Sequence, residues 1–322
     1  MSTVSADSDG SITLSGGWYY LDQSKNVSAS ISLSGSEDIH LILGDGYELL
    51  TPMIQSEQDS TASLTIYAQS SGNSVGKITL EGDSLSCDMT VTGDITINGG
   101  DITVSGDAAM ITSNGDITIN NGNISLSNQN GGPAYIQSQG SSVTINGGQI
   151  TVNSQYQQSG IICGNNGTIT LGYTNADDFI QAAHYLAGSS ATTPIIASED
   201  IFVDDSNNKY SGTLAAGSID GKKLVPLSIT VKFEANNGTG TMSDQTIVYG
   251  IPKTLTENAF NRDDYIFENW NTGTNGDGDS YEDKEEIKCE SNDVGKTLTL
   301  YAQWLRPITY ILNGGTNSSS NP

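Results

Sequence analysis

The chain has 322 residues, of which only 15% are charged, and its 37 acidic residues against 12 lysines and arginines give a net charge of −25. Such a surface repels phosphate backbones and anionic bilayers, so nucleic acid and membrane insertion are excluded as expectations, and metal cations or a neutral or cationic polymer suit it better. No apolar run reaches membrane-span length, and a hydrophobic content of 35% fits a narrow column of core better than a thick rounded one.

The opening MSTVSADSDG has neither the charged n-region nor the apolar h-region of a signal peptide, so the expectation is a fragment that begins after the leader of a secreted parent. Short alternating segments bounded by Gly, Ser or Asp follow at 12–14, 31–33, 41–43, 64–66, 78–80 and 89–91, and read as strands. Trp18, Tyr19 and Tyr20 are consecutive, so at least one faces outward if they lie in a strand. They are either an aromatic platform for carbohydrate or a cap over the end of the core.

From residue 94 the text nearly repeats itself. Residues 94–106 read DITINGGDITVSG, 116–128 DITINNGNISLSN and 142–154 SVTINGGQITVNS, starting 22 and then 26 residues apart. A unit repeated at a period in the twenties with strict apolar alternation marks a coiling β-solenoid. Alternation puts Ile95/Ile97, Ile117/Ile119 and Val143/Ile145 inward, with Thr96, Thr118 and Thr144 outward. After a two-residue turn, Ile102/Val104, Ile124/Leu126 and Ile150/Val152 point inward again. A third strand (AMITSNG, AYIQSQG, GIICGNNG) ends each coil at a glycine suited to a tight corner. Three faces per coil make a prism, in which Ile97, Ile119 and Ile145 are expected to lie atop one another. Asn98, Asn120 and Asn146 recur before the turn, which predicts an amide ladder along the axis unless asparagine serves only as a turn residue. The corner between the second and third strands varies in length, at 105–108, 127–133 and 153–159, with Tyr135 and Tyr156 nearby. Such loops are where solenoids place recognition, or they reflect ordinary drift.

Candidate chemistry is sparse. Cys87, Cys163 and Cys289 lie far apart with no CxxC and read as three unrelated thiols. Asp94, Asp101, Asp107 and Asp116 punctuate the coils; either they meet on one edge and bind Ca²⁺, or they start and end turns. Residues 275–286 (NGDGDSYEDKEE) place Asn275, Asp277, Asp279 and Glu286 at EF-hand positions, but Ser280 replaces the required glycine and Glu282 an apolar residue, so the segment reads as a loop. Glycosidase chemistry needs paired carboxylates. The candidates are Asp177–Asp178, with His184 nearby, and Asp204–Asp205, yet adjacent strand residues point to opposite faces, and a structural turn in TNADD also accounts for Asp177–Asp178. Arg262 and Arg306 lie outside the solenoid, and Lys25, Lys77, Lys209, Lys222 and Lys223 have no acidic cluster beside them in the regular coils. No catalytic, cofactor or metal residue is assigned, and Ca²⁺ is the one cofactor left open.

Residues 18–49 (WYYLDQSKNVSASISLSGSEDIHLILGDGYEL), 63–72 (SLTIYAQSSG) and the ITINGG coils resemble a right-handed β-helix module of large surface proteins of Gram-positive bacteria and relatives, within the pectate-lyase-like superfamily. ITLGYTNADDFI (169–180) and IDGKKLVPL (219–227) match how such modules finish, with DDFI extended; without that resemblance, 177–186 could pass as a short helix. The superfamily's Arg or Lys base beside calcium ligands, and its His-Gly and Arg-Ile-Lys signatures, are missing. After the boundary at 222–226, the text ITVKFEANNGTGTM, DDYIFENWNT, GDGDSYED and TLTLYAQW resembles one copy of the Listeria–Bacteroides (internalin B-type) repeat, a small β-grasp-like module. Phe267, Trp270, Tyr301 and Trp304 match its aromatic core, while Glu268-Asn269 replace the usual small residue and Gly and weaken a turn there. YILNGGT at 310–316 echoes FEANNGT at 233–239, 77 residues on, so a second copy begins and breaks off; residues 307–322 are expected to fray.

The resulting expectation is an all-β chain. A right-handed, three-faced parallel β-helix occupies 1–225, a repeat domain 226–305 and the start of another 306–322. The resemblances imply a non-catalytic, monomeric bacterial protein, extracellular and attached to the cell wall or surface through regions outside this chain. The β-helix would present loops for adhesion or polysaccharide binding, with a host or environmental glycan or surface protein as partner, and the repeats would act as a stalk. The alternative is an extracellular polysaccharide lyase or glycoside hydrolase.

Overall fold

A computed structural model describes all residues except 6–9, 71–73, 83–86, 129, 155, 157–158, 165–166, 188–189, 192–193, 309–310, 312, 317 and 320–322. The chain is all-β, with no helix among the described residues, and divides into two compact units, Met1–Leu227 and Ser228–Pro322.

The first unit is a β-solenoid of about six turns. Each coil passes through three faces. Face one holds Leu64–Ala68, Ile95–Ile97, Ile117–Ile119, Val143–Ile145 and Ile169–Leu171. Face two holds Lys77–Glu81, Asp101–Gly106, Asn123–Asn128, Gln149–Asn153 and Phe179–Ala182. Face three holds Cys87–Val91, Ala109–Ser113, Ala134–Ser138, Gly160–Cys163 and Tyr185–Ala187. Faces one and three belong to a single 16-stranded sheet, because the long strand Ile31–Leu43 rounds the corner between them. Its residues 31–33 pair with Met53–Ser56 on face three, and 39–43 pair with Leu64–Ala68 on face one.

Every regular coil pairs in parallel with the next, one residue against its counterpart. Ile97 stands over Ile119 and Ile119 over Ile145, as the alternation requires, and all three are fully buried. The column continues through Ile66 and Leu41 in one direction and Leu171 in the other. Removing each such side chain from water stabilises the fold by about 1.5–3 kcal/mol, so the core is built by repetition of a small gain. Within 177–186 there is no helix: Asp177 and Asp178 lie in a turn, and Phe179–Ala182 is a strand that pairs in parallel with Gln149–Asn153. At the far end the pattern changes. Lys223–Pro226 runs antiparallel to Phe179–Ala182 and to Phe202–Val203, and Ser190–Ala191 runs antiparallel to Tyr185–Ala187.

The second unit carries a five-stranded mixed sheet. Ser228–Glu234 and Thr297–Leu305 lie parallel at its centre, with Gln245–Val248 on one side and Ile266–Asn271 then Ser280–Tyr281 on the other. Trp270 is fully buried, with Phe233, Phe260 and Phe267 packed around it at ring distances of 4.9, 6.0 and 5.0 Å. Trp304 packs on Phe267 and donates its indole N–H to the Ala235 carbonyl at 3.0 Å. Glu268 and Asn269 do not form a turn. They lie inside a strand, at a shift of register between Phe267 and Trp270, so the two larger residues are carried by a β-bulge. Tyr310 in the echoed YILNGGT lies outside the described residues.

Candidate functional site

Outward side chains of face one form two columns. In the first, Trp18 pairs with His40 and His40 with Thr65, followed in register by Thr96, Thr118 and Thr144. In the second, Tyr20, Ile42 and Tyr67 stand side by side, and the coils beyond continue with Asn98, Asn120 and Asn146. The face is therefore aromatic over its first coils and rich in threonine and asparagine thereafter.

The aromatic part is a shelf. Trp18 stacks on His40 at 4.2 Å with 17° between the planes, Tyr67 lies 5.3 Å from Trp18, and 46% of Trp18 remains exposed. Tyr20 donates its hydroxyl to Gln69 Oε1 at 2.7 Å, and the Asp45 N–H donates to the same oxygen at 3.0 Å, which locks Gln69 beside the rings. The shelf borders a cavity of about 440 Å³ lined by Trp18, Tyr20, Ile42, Tyr67 and Gln69 among others. Of the three consecutive aromatics, Trp18 and Tyr20 face outward, and Tyr19 takes the register of buried Leu41 and bonds back to the Ser15 carbonyl at 2.8 Å. His40 and Tyr67 were not singled out from sequence. Their signal was the outward register of the early coils, Trp18-x-Tyr20, His40-x-Ile42 and Thr65-x-Tyr67, which precede the clear repeats.

Next to the shelf, along the corner between faces one and two, runs a groove of about 810 Å³ lined by residues of five successive coils. The amide ladder reaches it at Asn98, one of its lining residues: Asn120 Nδ2 donates to Asn98 Oδ1 and Asn146 Nδ2 to Asn120 Oδ1, both at 2.8 Å. Its floor is a column of glycines. Gly122 has φ +125° and Gly148 φ +98°, and a Cβ at Gly148 would lie 2.6 Å from the Gly122 carbonyl oxygen. Only glycine allows the backbones to stack this closely.

The acidic candidates disperse. Asp94, Asp101, Asp107 and Asp116 do not meet on one edge. Asp94 and Asp116 line the corner before face one, where Asp94 Oδ1 accepts the Asp116 N–H at 2.8 Å and Asp116 Oδ1 accepts the Ser142 N–H at 2.9 Å. Bonds from the Ser141 side chain and the Ser142 backbone hold the Asp116 carboxyl below its ordinary range. Asp101 starts face two, and Asp107 sits at the next corner, where Asn130 Nδ2 bonds to it. Among the described residues no three His, Cys, Asp or Glu side chains gather as a metal site. Residues 275–286 contain the strand Ser280–Tyr281, which pairs back on Trp270 and Asn271. Buried Asn271 organises that loop, accepting the Gly273 and Gly278 N–H groups and donating to Ser280 Oγ.

The paired carboxylates are separated, but by turns and not by strand alternation, since neither pair lies in a strand. Asp177 is exposed, whereas Asp178 is buried and its Oδ2 accepts from the Thr174 N–H (2.7 Å), the Thr174 hydroxyl (3.3 Å) and the Asn175 N–H (2.8 Å). His184 turns away to Asp220, 3.0 Å from its Nδ1. Asp205 is exposed, and Asp204 is buried in a network with Asn208, Tyr210 (2.8 Å) and Lys222 (3.2 Å). The Asn208 amide first, then Tyr210 and Lys222, hold the Asp204 carboxyl well below the carboxylate range, while Tyr210 and Asp204 raise Lys222. Lys222 thus does sit against a carboxylate, beyond the regular coils. Lys223 lies over the Phe179 ring at 4.0 Å. Tyr135 is half-buried on face three and Tyr156 exposed at the variable corner, whose residues 129, 155, 157 and 158 lie outside the described set. Cys87, Cys163 and Cys289 are buried free thiols; burial raises all three, Cys289 to about 11.

Residues 230–303 match the Listeria–Bacteroides repeat domain family. No curated protein and no solved structure matches the chain.

Proposed function

We propose that this chain is a non-catalytic part of a modular bacterial surface protein, in which the solenoid binds polysaccharide and the repeat domain serves as a spacer. The observation that carries the reading is the half-exposed ring cluster of Trp18, His40 and Tyr67 on a flat sheet face, since aromatic rings with polar neighbours suit the apolar faces and hydroxyl edges of sugars. The repeat at 230–303 supports a surface setting, extracellular and anchored through other regions of the parent protein. The solenoid is read as a right-handed β-helix of the pectate-lyase-like kind, the hand that parallel crossovers favour. The binding role is favoured over catalysis because Asp178 is occupied by its own turn and Asp204 by its own network.

The test is a screen of the full chain against plant and host polysaccharides, scoring both retention and product release. Retention without new reducing ends or unsaturated sugars is expected. Product release that disappears in Asp178→Ala or Asp204→Ala, with the fold intact by circular dichroism, overturns the reading.

A further inference from the structure

The shelf and the groove are continuous. Ala68 and Gln69 line both cavities, so the ring cluster opens directly onto the corner where the glycine floor begins. The groove draws its lining from residues 68–70 and 75, 98–101, 121–123, 148–149, and 175, 177 and 178. At about 4.8 Å per coil, these span roughly 20 Å along the solenoid axis. A β-linked hexose chain advances by about one strand spacing per sugar, so a run of several sugars would lie with one ring over each coil.

The walls define the ligand class. The shelf offers ring faces, and the groove offers backbone and the amides of Asn98, Asn121, Asn123 and Gln149. No lysine or arginine lines either cavity among the described residues, while Asp101, Asp177 and Asp178 line the groove. On a chain of net charge −25 this disfavours a polyuronate and suits an uncharged polyhydroxylated chain. The ladder adds a polar end at the seam. Each amide donates toward the coil before it, so Asn98 Nδ2 is left with no acceptor among the described residues, one coil beyond Tyr67. A solvent-facing donor beside stacked rings fits a sugar hydroxyl.

We infer that shelf and groove form one track holding a linear, uncharged β-linked polysaccharide lengthwise, its first ring against Trp18 and Tyr67 and the following rings along the glycine floor. This rests on the binding reading above and names its ligand class and path.

The experiment is titration of the full chain with neutral β-linked oligosaccharides of increasing length (glucan, mannan and xylan series), with oligogalacturonates as the charged comparison. Wild-type affinity is expected to rise with length up to several sugars. Trp18→Ala and Tyr67→Ala should each weaken binding about tenfold, the loss expected for one stacked ring. Asn123 is exposed and lines the groove, and Asn123→Trp should abolish the gain with length while leaving the shortest ligands unaffected. Matching melting curves certify that the variants are folded. If neutral chains bind wild type and these variants equally, the track is wrong although polysaccharide binding stands. If oligogalacturonates bind more tightly, the ligand class is wrong. If no chain binds, both the track and the binding reading fall.

Discussion

Asn120 shares its two ladder bonds with Asn98 and Asn146, whereas its neighbour Ile119 is fully buried between Ile97 and Ile145. The two adjacent positions separate a polar contribution from a packing one. Each amide bond is partly open to water, so each contributes about 0.5–1.5 kcal/mol, and Asn120→Leu is expected to lower stability by roughly 1–3 kcal/mol. Ile119→Ala removes buried methylenes and leaves a cavity that flanking coils cannot collapse into, costing about 2–5 kcal/mol. Denaturant midpoints of the two variants check this order, and an Asn120→Leu melt identical to wild type would mean that asparagine acts there only as a turn residue. The ladder was readable in advance because three asparagines recur in register at a fixed place in a repeating coil. The Asp94–Asp116 ladder was not read, because an aspartate before a strand looks the same whether it caps a turn, binds a cation or accepts the next coil's N–H.

The strands of the regular coils were legible for a simple physical reason: one face is dry, so apolar residues must alternate, and copies of the same coil can be laid over one another. The early coils obey the same alternation but fill it with Trp18, His40, Ile42 and Tyr67, so no text repeats and the shelf could be seen only once the register was known. The closing network of Asp204, Asn208, Tyr210 and Lys222 was hidden for another reason, since it joins a hairpin to a later strand and has no period. That network makes a pH prediction. The Asp204 carboxyl sits below its unfolded value, so its stabilisation is present above the ordinary carboxylate range and lost as pH falls through and below it. The wild-type melting temperature should therefore drop from about pH 5 toward pH 2. Asp204→Asn should start lower at neutral pH and fall less steeply across that window, as followed by circular dichroism; parallel curves would show that other carboxylates govern acid unfolding.

Over the whole molecule, the shortage of cations bears on how the solenoid avoids unwanted company, because charge repulsion alone does not protect a rim of unpaired backbone. A parallel stack carries its own template: the last coil exposes N–H and C=O groups in the register that another coil would need. Here the final coil is met on two faces by strands of opposite direction, Lys223–Pro226 against Phe179–Ala182 and Ser190–Ala191 against Tyr185–Ala187; on face one the short parallel strand Ile195–Ile196 follows Ile169–Leu171 and is itself met by an antiparallel bridge from Ile195 to Thr213, with Phe202 packed edge-on against Tyr173 at 5.0 Å. Reversal on two faces and a two-residue strand closed by an antiparallel bridge on the third make the end final, since a full same-direction coil can no longer dock in register. A chain lacking residues 190–227 should thus grow into filaments by adding molecules rim to rim, visible as time-dependent light scattering, while the intact chain at the same concentration stays clear. The reversed strands Ser190–Ala191 and Lys223–Pro226 would then be terminators of assembly as much as parts of the fold.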